Sequence, residues 1–191
     1  MPPKVQFSRE EIIDAAFAAA REKGFTGITA RDVADRLHCS VAPIYVNFTA
    51  IDDLIDAVVH RVFAISGELL AKQTGPRIFE NIGKASLEFA REYPVILREL
   101  IMNPSMHQAS RKDQADSLVD ALSEDPDMGN LSRDQRRRLL VKMEIFQTGL
   151  TVMTANGSLP SWIDTQQAEE LLMETGDELL QAALRKKESD I

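Results

Sequence analysis

The chain of 191 residues is long enough for one sizeable domain, or for a small domain joined to a larger one. With 44% hydrophobic and 27% charged residues it has the balance of a globular protein, which excludes an intrinsically disordered chain. Taken alone, the formal net charge of −8 disfavours a nucleic-acid partner, since DNA binding depends on neutralising phosphates.

The charge is unevenly distributed along the sequence. Residues 1–50 carry as many basic as acidic side chains, so the whole acidic excess lies beyond residue 50. No apolar run approaches the ~20 residues that cross a bilayer, and the start MPPKVQFSREE lacks the apolar stretch of a signal peptide. The single cysteine, Cys39, can form neither an intrachain disulfide nor a cysteine-cluster metal site. We therefore expect a cytoplasmic protein with no membrane partner, metal or cofactor.

The amino-terminal region has a helical pattern with clear ends. Apolar residues at helical spacing predict a first helix over 8–23, in which Ser8 and Glu11 form a capping box. Gly24 ends this helix, and Thr29 is a suitable cap for a second one.

A turn at His38-Cys39 separates the second helix from a third. Ser40 is predicted to cap the third helix, which places Pro43 in the first turn, where proline is tolerated. A fourth helix begins near Ile51 and continues towards Leu70. It is so apolar that we expect it to pack on the first three helices at its start and on the larger domain at its end.

Helical segments also fill the rest of the chain. Gly75-Pro76 and Asn103-Pro104 punctuate them, as do the stretches 123–130 and 157–164. The predicted helices span 77–92, 94–102, 106–122, 132–156 and 166–187. No window alternates like a strand, so we predict an all-α fold, with a three-helix domain over 1–51 joined by a long helix to a larger helical domain over 52–191.

The second and third helices and the turn between them make a helix-turn-helix, whose last helix can enter a major groove. Any three-helix core can produce such a turn. The stretch FTGITARDVADRLHCSVAPIYVNFTAIDDLIDAVV is more specific, because it resembles the amino-terminal domain of the TetR family of bacterial repressors. The shared positions are Gly24-Phe25, Thr29, Val33-Ala34, Leu37, Ile44-Tyr45, Phe48 and Leu54. The resemblance covers residues 8–60 and implies a DNA-binding domain followed by a helical effector-binding and dimerisation domain.

Physical roles follow for the residues of this motif. The hydroxyl of Thr29 and the free N–H groups at the start of the second helix are suited to a phosphate. The start of the third helix would meet base edges, where aliphatic side chains contact thymine methyl groups. Tyr45 could reach a phosphate, with a core position as the alternative, and Asn47 could bond an adenine or the backbone. The candidate DNA-binding residues are Thr29, Arg31, Ser40, Val41, Ala42, Pro43, Tyr45, Asn47 and Thr49.

One position departs from the family pattern. A lysine that meets a phosphate is common at the start of the fourth helix in this family, whereas this chain has Ile51, followed by Asp52 and Asp53. Part of the missing charge could come from Lys4, Arg9, Arg31 and Arg36. We therefore expect a modest DNA affinity, or one that depends on dimerisation.

A helix-turn-helix reads only a few base pairs, so specificity usually needs two modules. The last two long helices are the candidates for a homodimer interface, although sequence does not separate interface from core. Their apolar residues are Leu139, Leu140, Met143, Phe146 and Leu150, and Leu171, Leu172, Leu179, Leu180 and Leu184. Gly149 and Gly176, in mid-helix where glycine is unfavourable, indicate close helix approach.

The remaining helices could enclose a pocket for a small, largely apolar effector. Simple core packing is the alternative for each residue of this set. The candidate lining residues are Phe79, Phe89, Leu97, Ile101, Met102, Met106, His107, Met143, Phe146, Gln147 and Trp162.

These features favour a ligand-responsive regulator, a repressor by resemblance, that an effector releases from a palindromic operator. An enzyme is disfavoured, because the sequence shows neither a metal-type His/Cys cluster nor a nucleophile with its base, and we assign no catalytic residue. The other alternative is a helical dimeric interaction protein of the same fold that has lost sequence-specific DNA binding, as Ile51 and Asp52 suggest.

Overall fold

The computed structural model describes residues 7–102, 116 and 118–189. Helices follow one another through these residues, and no strand occurs among them, which confirms the all-α prediction. The helices are α1 (Arg9–Lys23), α2 (Ala30–Arg36), α3 (Ala42–Asn47), α4 (Ile51–Ala71), α5 (Ile78–Glu92), α6 (Pro94–Met102), α7 (Arg133–Ala155) and α8 (Thr165–Ser189). A 3₁₀ turn lies at Phe25–Gly27, and residues 118–121 are helical.

The ends of α1 are set by the residues that the sequence predicts. The Ser8 hydroxyl accepts from the Glu11 N–H at 3.2 Å, and the Glu11 carboxylate accepts from the Ser8 N–H at 2.8 Å. These bonds lower the pKa of the Glu11 carboxyl below its ordinary value. At the other end, Gly24 adopts φ 79°, a conformation that strains any residue with a Cβ.

The helix-turn-helix forms as predicted except at the start of α3. Thr29 caps α2, and its hydroxyl accepts from the Asp32 N–H at 3.0 Å. His38, with φ 53°, turns the chain towards α3. The prediction that Ser40 caps α3 is wrong, because Val41 already has helical angles and occupies the cap position without a side-chain bond. Pro43 lies in the first turn, as expected.

The long helix α4 joins the amino-terminal helices to the rest of the chain. It packs on α1 and on α5, and one continuous buried cluster contains residues of all three helices and of α6. The fully buried members from α1, α3, α4 and α6 are Ile12, Ile44, Leu54, Val58 and Ile96. The expected packing of α4 at both ends is therefore confirmed.

The helices α5, α7 and α8 pack together around smaller apolar clusters. A Cβ at Gly83 would overlap Leu172, and a Cβ at Gly176 would overlap the ring of Phe79, so α8 lies close to α5. The close approach predicted from Gly176 is confirmed. Outside the backbone of α7 itself, no atom of the described residues lies within 4 Å of a Cβ built on Gly149, so no described helix of the same chain approaches closely there.

The loop before α7 is attached to the start of α5. The buried Asp125 carboxylate accepts from the Ile78 N–H at 3.3 Å and from the Met128 N–H at 3.3 Å. Arg77 pairs with Asp127 at 2.9 Å and with Asp177 of α8 at 2.6 Å. None of the described helices has the length and apolarity that a membrane span requires.

The contrast between Gly176 and Gly67 gives a test of this packing. An alanine at Gly67 would meet no atom within 4 Å, so Gly67→Ala should raise the free energy of unfolding by roughly 0.5–1 kcal/mol through helix propensity. Gly176→Ala should lower it by up to about 2 kcal/mol, because overpacking against Phe79 outweighs the same gain. Urea unfolding at one protein concentration measures both, and equal stabilisation would contradict the close approach of α8 to α5.

Candidate nucleic-acid interface and internal cavity

Helix α3 presents an apolar face to solvent. Val46 is 79% exposed and Tyr45 is 54% exposed, whereas Ile44 and Phe48 are buried in the core. Because a helix turns about 100° per residue, the burial of one side leaves its opposite side free. The exposed ring of Tyr45 therefore lies outside the core.

Val46 is a candidate that sequence reasoning did not include. It lies on the outward side of α3 together with Val41 and Ala42, both exposed. The signal was available, since Val46 is four residues after Ala42 and two after the core residue Ile44. Among the residues that the structure describes, none buries this valine, which remains 79% exposed.

The other predicted DNA-binding residues near α3 differ in their exposure and in the hydrogen bonds they already make. Ser40 and Thr49 are exposed, and Pro43 is half-buried. The side-chain amide of Asn47 donates to the Pro43 carbonyl at 2.9 Å and to the Phe7 carbonyl at 3.4 Å. Its N–H groups are thus used inside the domain, and only its oxygen remains to meet DNA.

The start of α2 combines a hydroxyl with a carboxylate. The Thr29 hydroxyl donates to the Asp32 carboxylate at 2.9 Å, and Lys23 pairs with the same carboxylate at 2.6 Å. The bond from Lys23, and next the bond from Thr29, lower the pKa of the Asp32 carboxyl below its ordinary value. A phosphate at this end would therefore meet the first backbone N–H groups of α2 beside a charged Asp32.

The cations of the amino-terminal helices have different partners. Arg36 makes a bidentate pair with Glu22, at 2.5 and 3.2 Å, which raises the pKa of the arginine. The Arg9 guanidinium lies 4.7 Å from the centre of the Phe48 ring. Arg31 is exposed and makes no ion pair with any residue that the structure describes. Lys4 lies outside the described residues.

A cavity of about 550 Å³ lies between α4, α5, α6 and α7. Most of its lining is apolar, which suits a small organic molecule. The lining residues are Phe63, Ser66, Gly67, Leu70, Ile82, Ala85, Ser86, Phe89, Leu97, Leu100, Ile101, Leu118, Glu144, Gln147, Thr148 and Thr151.

One wall of this cavity is polar. Glu144, Gln147, Thr148 and Thr151 follow one another at the spacing of a single face of α7. The hydroxyl of Thr151 donates to the Gln147 carbonyl at 2.9 Å, so it is satisfied within the helix. The Glu144, Gln147 and Thr148 side chains form the largest polar part of the site, and Ser66 of α4 and Ser86 of α5 add a hydroxyl to each of two otherwise mostly apolar walls.

Some of the residues predicted to line a pocket do line this cavity, and others pack elsewhere in the chain. Phe89, Leu97, Ile101 and Gln147 line the cavity. Phe79, Met143 and Phe146 do not, because they pack in the apolar clusters between α5, α7 and α8.

The remaining residues predicted to line the pocket are either exposed or outside the described residues. Met102 and Trp162 are exposed, Trp162 to 71%, because the end of α6 and the loop before α8 face solvent. Met106 and His107 lie outside the described residues. The lining from α4 was not predicted, although the apolar stripe of that helix was a signal for it.

The outer side of α7 is also apolar, but not at the residues predicted for an interface. Val141, Ile145 and Met153 are exposed, Ile145 to 69%, and together with Gly149 they recur every four residues. Most of the predicted apolar residues instead pack inside the chain. Those that are buried are Leu139, Met143, Leu150, Leu172 and Leu180, and those that are half-buried are Leu140, Phe146, Leu179 and Leu184.

Leu171 is the predicted α8 residue that faces outward. The exposed Glu174 and Glu178 lie on the same side of α8. On α7, the exposed Arg138 and Lys142 accompany the apolar stripe. Asp134 of α7 and Arg185 of α8 lie at helical spacing on these same sides, so each outer face carries charges of both signs.

Comparisons with known proteins agree with this architecture. Residues 12–58 match the sequence model of the bacterial regulatory proteins of the tetR family. A TetR-like transcriptional regulator from Rhodococcus sp. RHA1 is 18% identical, with a TM-score of 0.64 over 97% of this chain and 98% of that chain. No curated protein sequence matches significantly.

Two further similar structures contain ligands. The multidrug binding protein EbrR, complexed with proflavin, is 20% identical, with a TM-score of 0.56 over 87% of this chain and 98% of that chain. A TetR variant from Acinetobacter baumannii AYE in complex with minocycline is 15% identical, with a TM-score of 0.61 over 94% of this chain and 97% of that chain.

The predicted resemblance is thereby confirmed. Residues 12–58 form a helix-turn-helix domain of the tetR family, and the chain has the fold of the TetR-like transcriptional regulators.

Proposed function

We propose that the protein is a dimeric transcriptional regulator of the cytoplasm, without catalytic activity, that a small effector releases from a palindromic operator. The observation that carries this proposal is the apolar face of α3, exposed at the position where a tetR-family domain has its recognition helix. A monomeric domain gains nothing from exposing Val46 and Tyr45, whereas a DNA-reading helix uses them.

The composition of this face indicates how bases are read. Val41, Ala42, Pro43 and Val46 offer no hydrogen bond, so they select thymine methyl groups rather than the polar edges of bases. Tyr45 adds a hydroxyl that can reach a phosphate. Thymine-containing half-sites are therefore the expected targets.

Phosphate contacts fix the domain on the duplex. The first N–H groups of α2, together with the exposed Arg31, Ser40 and Thr49, can serve as donors. The Thr29 hydroxyl can donate to a phosphate only if it leaves the Asp32 carboxylate. The Asn47 amide orients α3 through its bonds to Pro43 and Phe7. Because Asp32 and Asp52 add negative charge near this surface, a single domain should bind weakly, and two domains are needed.

A second copy of the chain is the expected occupant of the outer side of α7 and α8. In a two-fold interface the same surface meets itself, so the charged residues of both signs on this side can pair with those of the other copy. The stripe from Val141 to Met153 supplies the apolar centre, and Gly149 permits close approach there.

The cavity is the proposed effector site. Its apolar walls and the polar side of α7 suit a small, largely apolar molecule with one hydrogen-bonding edge. An effector that fits one position of α6 better than another changes the spacing of the recognition helices. DNA affinity then falls by the difference in binding free energy, typically ~1–3 kcal/mol.

Selection of DNA from a random duplex pool at ~0.1 M salt, followed by titration at two salt concentrations, tests the DNA-binding function. We expect a palindrome bound by a dimer. Replacing its thymines by deoxyuridine should raise the Kd about fourfold for each methyl group lost, since burial of one carbon contributes ~0.8 kcal/mol.

Val46→Ala is the matched variant for this experiment. It removes the protruding methyl groups from α3, so its Kd should change less between the thymine and deoxyuridine duplexes than that of the wild type. Equal wild-type affinities for the two duplexes would contradict methyl readout. Failure to enrich any sequence would favour the interaction protein that has lost DNA binding.

Ile145→Asp tests the dimer. A carboxylate at the centre of the α7 stripe would lose its hydration in the apolar middle of the interface, so we expect monomers by sedimentation velocity. Val46→Asp is the control, because it also places a carboxylate on an exposed aliphatic residue and should lose DNA binding but remain dimeric. A dimeric Ile145→Asp would place the interface elsewhere.

Ser86→Trp tests the effector cavity. The indole would fill the space between α5 and α7, so binding of the neutral apolar dye Nile red, followed by its fluorescence, should weaken at least tenfold. Ser161→Trp, at an exposed loop position, should leave dye binding unchanged. Equal dye affinity in the two variants would show that the dye binds outside the cavity.

A further inference from the structure

A carboxylate of α6 is hydrogen-bonded to the turn between α1 and α2. Glu99 accepts from the backbone N–H of Phe25 and from the hydroxyl of Thr26, the second bond at 3.3 Å. The residues it joins are more than seventy positions apart, and the turn belongs to the helix-turn-helix domain. Glu99 therefore forms a direct polar link from the effector-side helices to the DNA-side helices.

Gly24 leaves the space that this link occupies. A Cβ at Gly24 would overlap the Glu99 carboxylate, and the φ of 79° there already disfavours any other residue. Phe25, the residue whose N–H is held, is buried in the same core cluster as Ile44 of α3. A displacement of the turn would thus be felt at the base of the recognition helix.

The same helix also forms a wall of the cavity. Leu97, Leu100 and Ile101 line it, on either side of Glu99 in the sequence. A molecule that displaces α6 therefore moves Glu99 as well. Since a hydrogen bond weakens with distance and angle, the link to Phe25 is sensitive to small shifts of α6.

A second contact between the amino-terminal helices and the cavity is made by aromatic rings, whose geometry is less strict than that of the Glu99 hydrogen bonds. The ring of Tyr93 lies between Phe17 of α1 and Phe89 of the cavity wall, with ring centres 5.8 and 5.1 Å away. Burial, as the largest cause, raises the pKa of Tyr93 above its ordinary value. Tilted aromatic rings tolerate sliding, so this contact holds α1 to α5 without fixing the position of the turn.

We propose that Glu99 is the positioning residue that passes the occupancy of the cavity to the DNA-binding domain. It fixes the turn at Phe25 when α6 is in one position and releases or displaces the turn when a ligand moves α6. This inference rests on the proposed function, and it assigns the transmission to one side chain.

A double-mutant cycle on the full-length dimer tests the inference without an identified effector. Ser86→Trp fills the cavity in place of a ligand, and the Kd of the enriched duplex is measured with and without this change. In the wild-type background we expect filling to raise the Kd at least about fivefold. In the Glu99→Ala background we expect less than about a twofold change.

Two controls separate transmission from a structural role. Arg98→Ala alters the neighbouring residue, which bonds Asn156 rather than the turn, and should retain the full effect of cavity filling. Glu99→Gln keeps an acceptor for the Phe25 N–H and should restore most of the effect. If Glu99 only stabilises the fold, Glu99→Ala weakens duplex binding equally in both backgrounds, which overturns the proposal.

Amide hydrogen exchange at Phe25 gives a second readout that needs neither DNA nor a Glu99 variant. Ser86→Trp should change the exchange rate of this amide at least about fivefold, on the scale of such couplings. An unchanged rate, or a duplex Kd that cavity filling does not alter, overturns the proposal. Absence of any duplex binding by the wild type instead overturns the proposed function, so the two failures are distinguishable.

Discussion

Burial of one apolar cluster holds the amino-terminal helices to the rest of the chain. Ile12 of α1, Ile44 of α3, Val58 of α4 and Ile96 of α6 share it, and each is fully enclosed. A close-packed cluster shifts between discrete arrangements rather than deforming freely. The position of α3 is therefore fixed by its packing in this cluster. A movement of α6 or α4 also moves the surface of α3 that would meet DNA.

Several acidic residues of the amino-terminal helices take part in local structure. Glu11 caps α1, Asp32 bonds Thr29 and Lys23, and the Asp53 carboxylate accepts from the Ala50 N–H at the start of α4. Glu22 is held by Arg36. Within residues 1–50, Glu11, Glu22 and Asp32 thus serve a helix end and ion pairs, and the exposed face of α3 is apolar rather than basic.

Local chemistry explains which features could be predicted from sequence. The ends of α1 follow from Ser8, Glu11 and Gly24, which act on their own neighbours. On α7, apolar residues occur on every side, so sequence does not tell the buried Leu139 from the exposed Ile145. Which of these apolar residues are buried depends on how α7 packs against α5 and α8. Contacts such as Glu99 to Phe25 join distant segments, and no local pattern predicts them.

Helix α7 connects the proposed effector site with the proposed dimer interface. Gln147 and Thr148 face the cavity, while Ile145 and Gly149 face outward. An α-helix is only about 10 Å across, so a ligand on one side lies within one helix diameter of the second copy on the other. Because each copy of the proposed dimer would rest on the other through this helix, filling one cavity would change the surface against which the other subunit packs. The spacing of the two recognition helices is then a property of the dimer rather than of either chain.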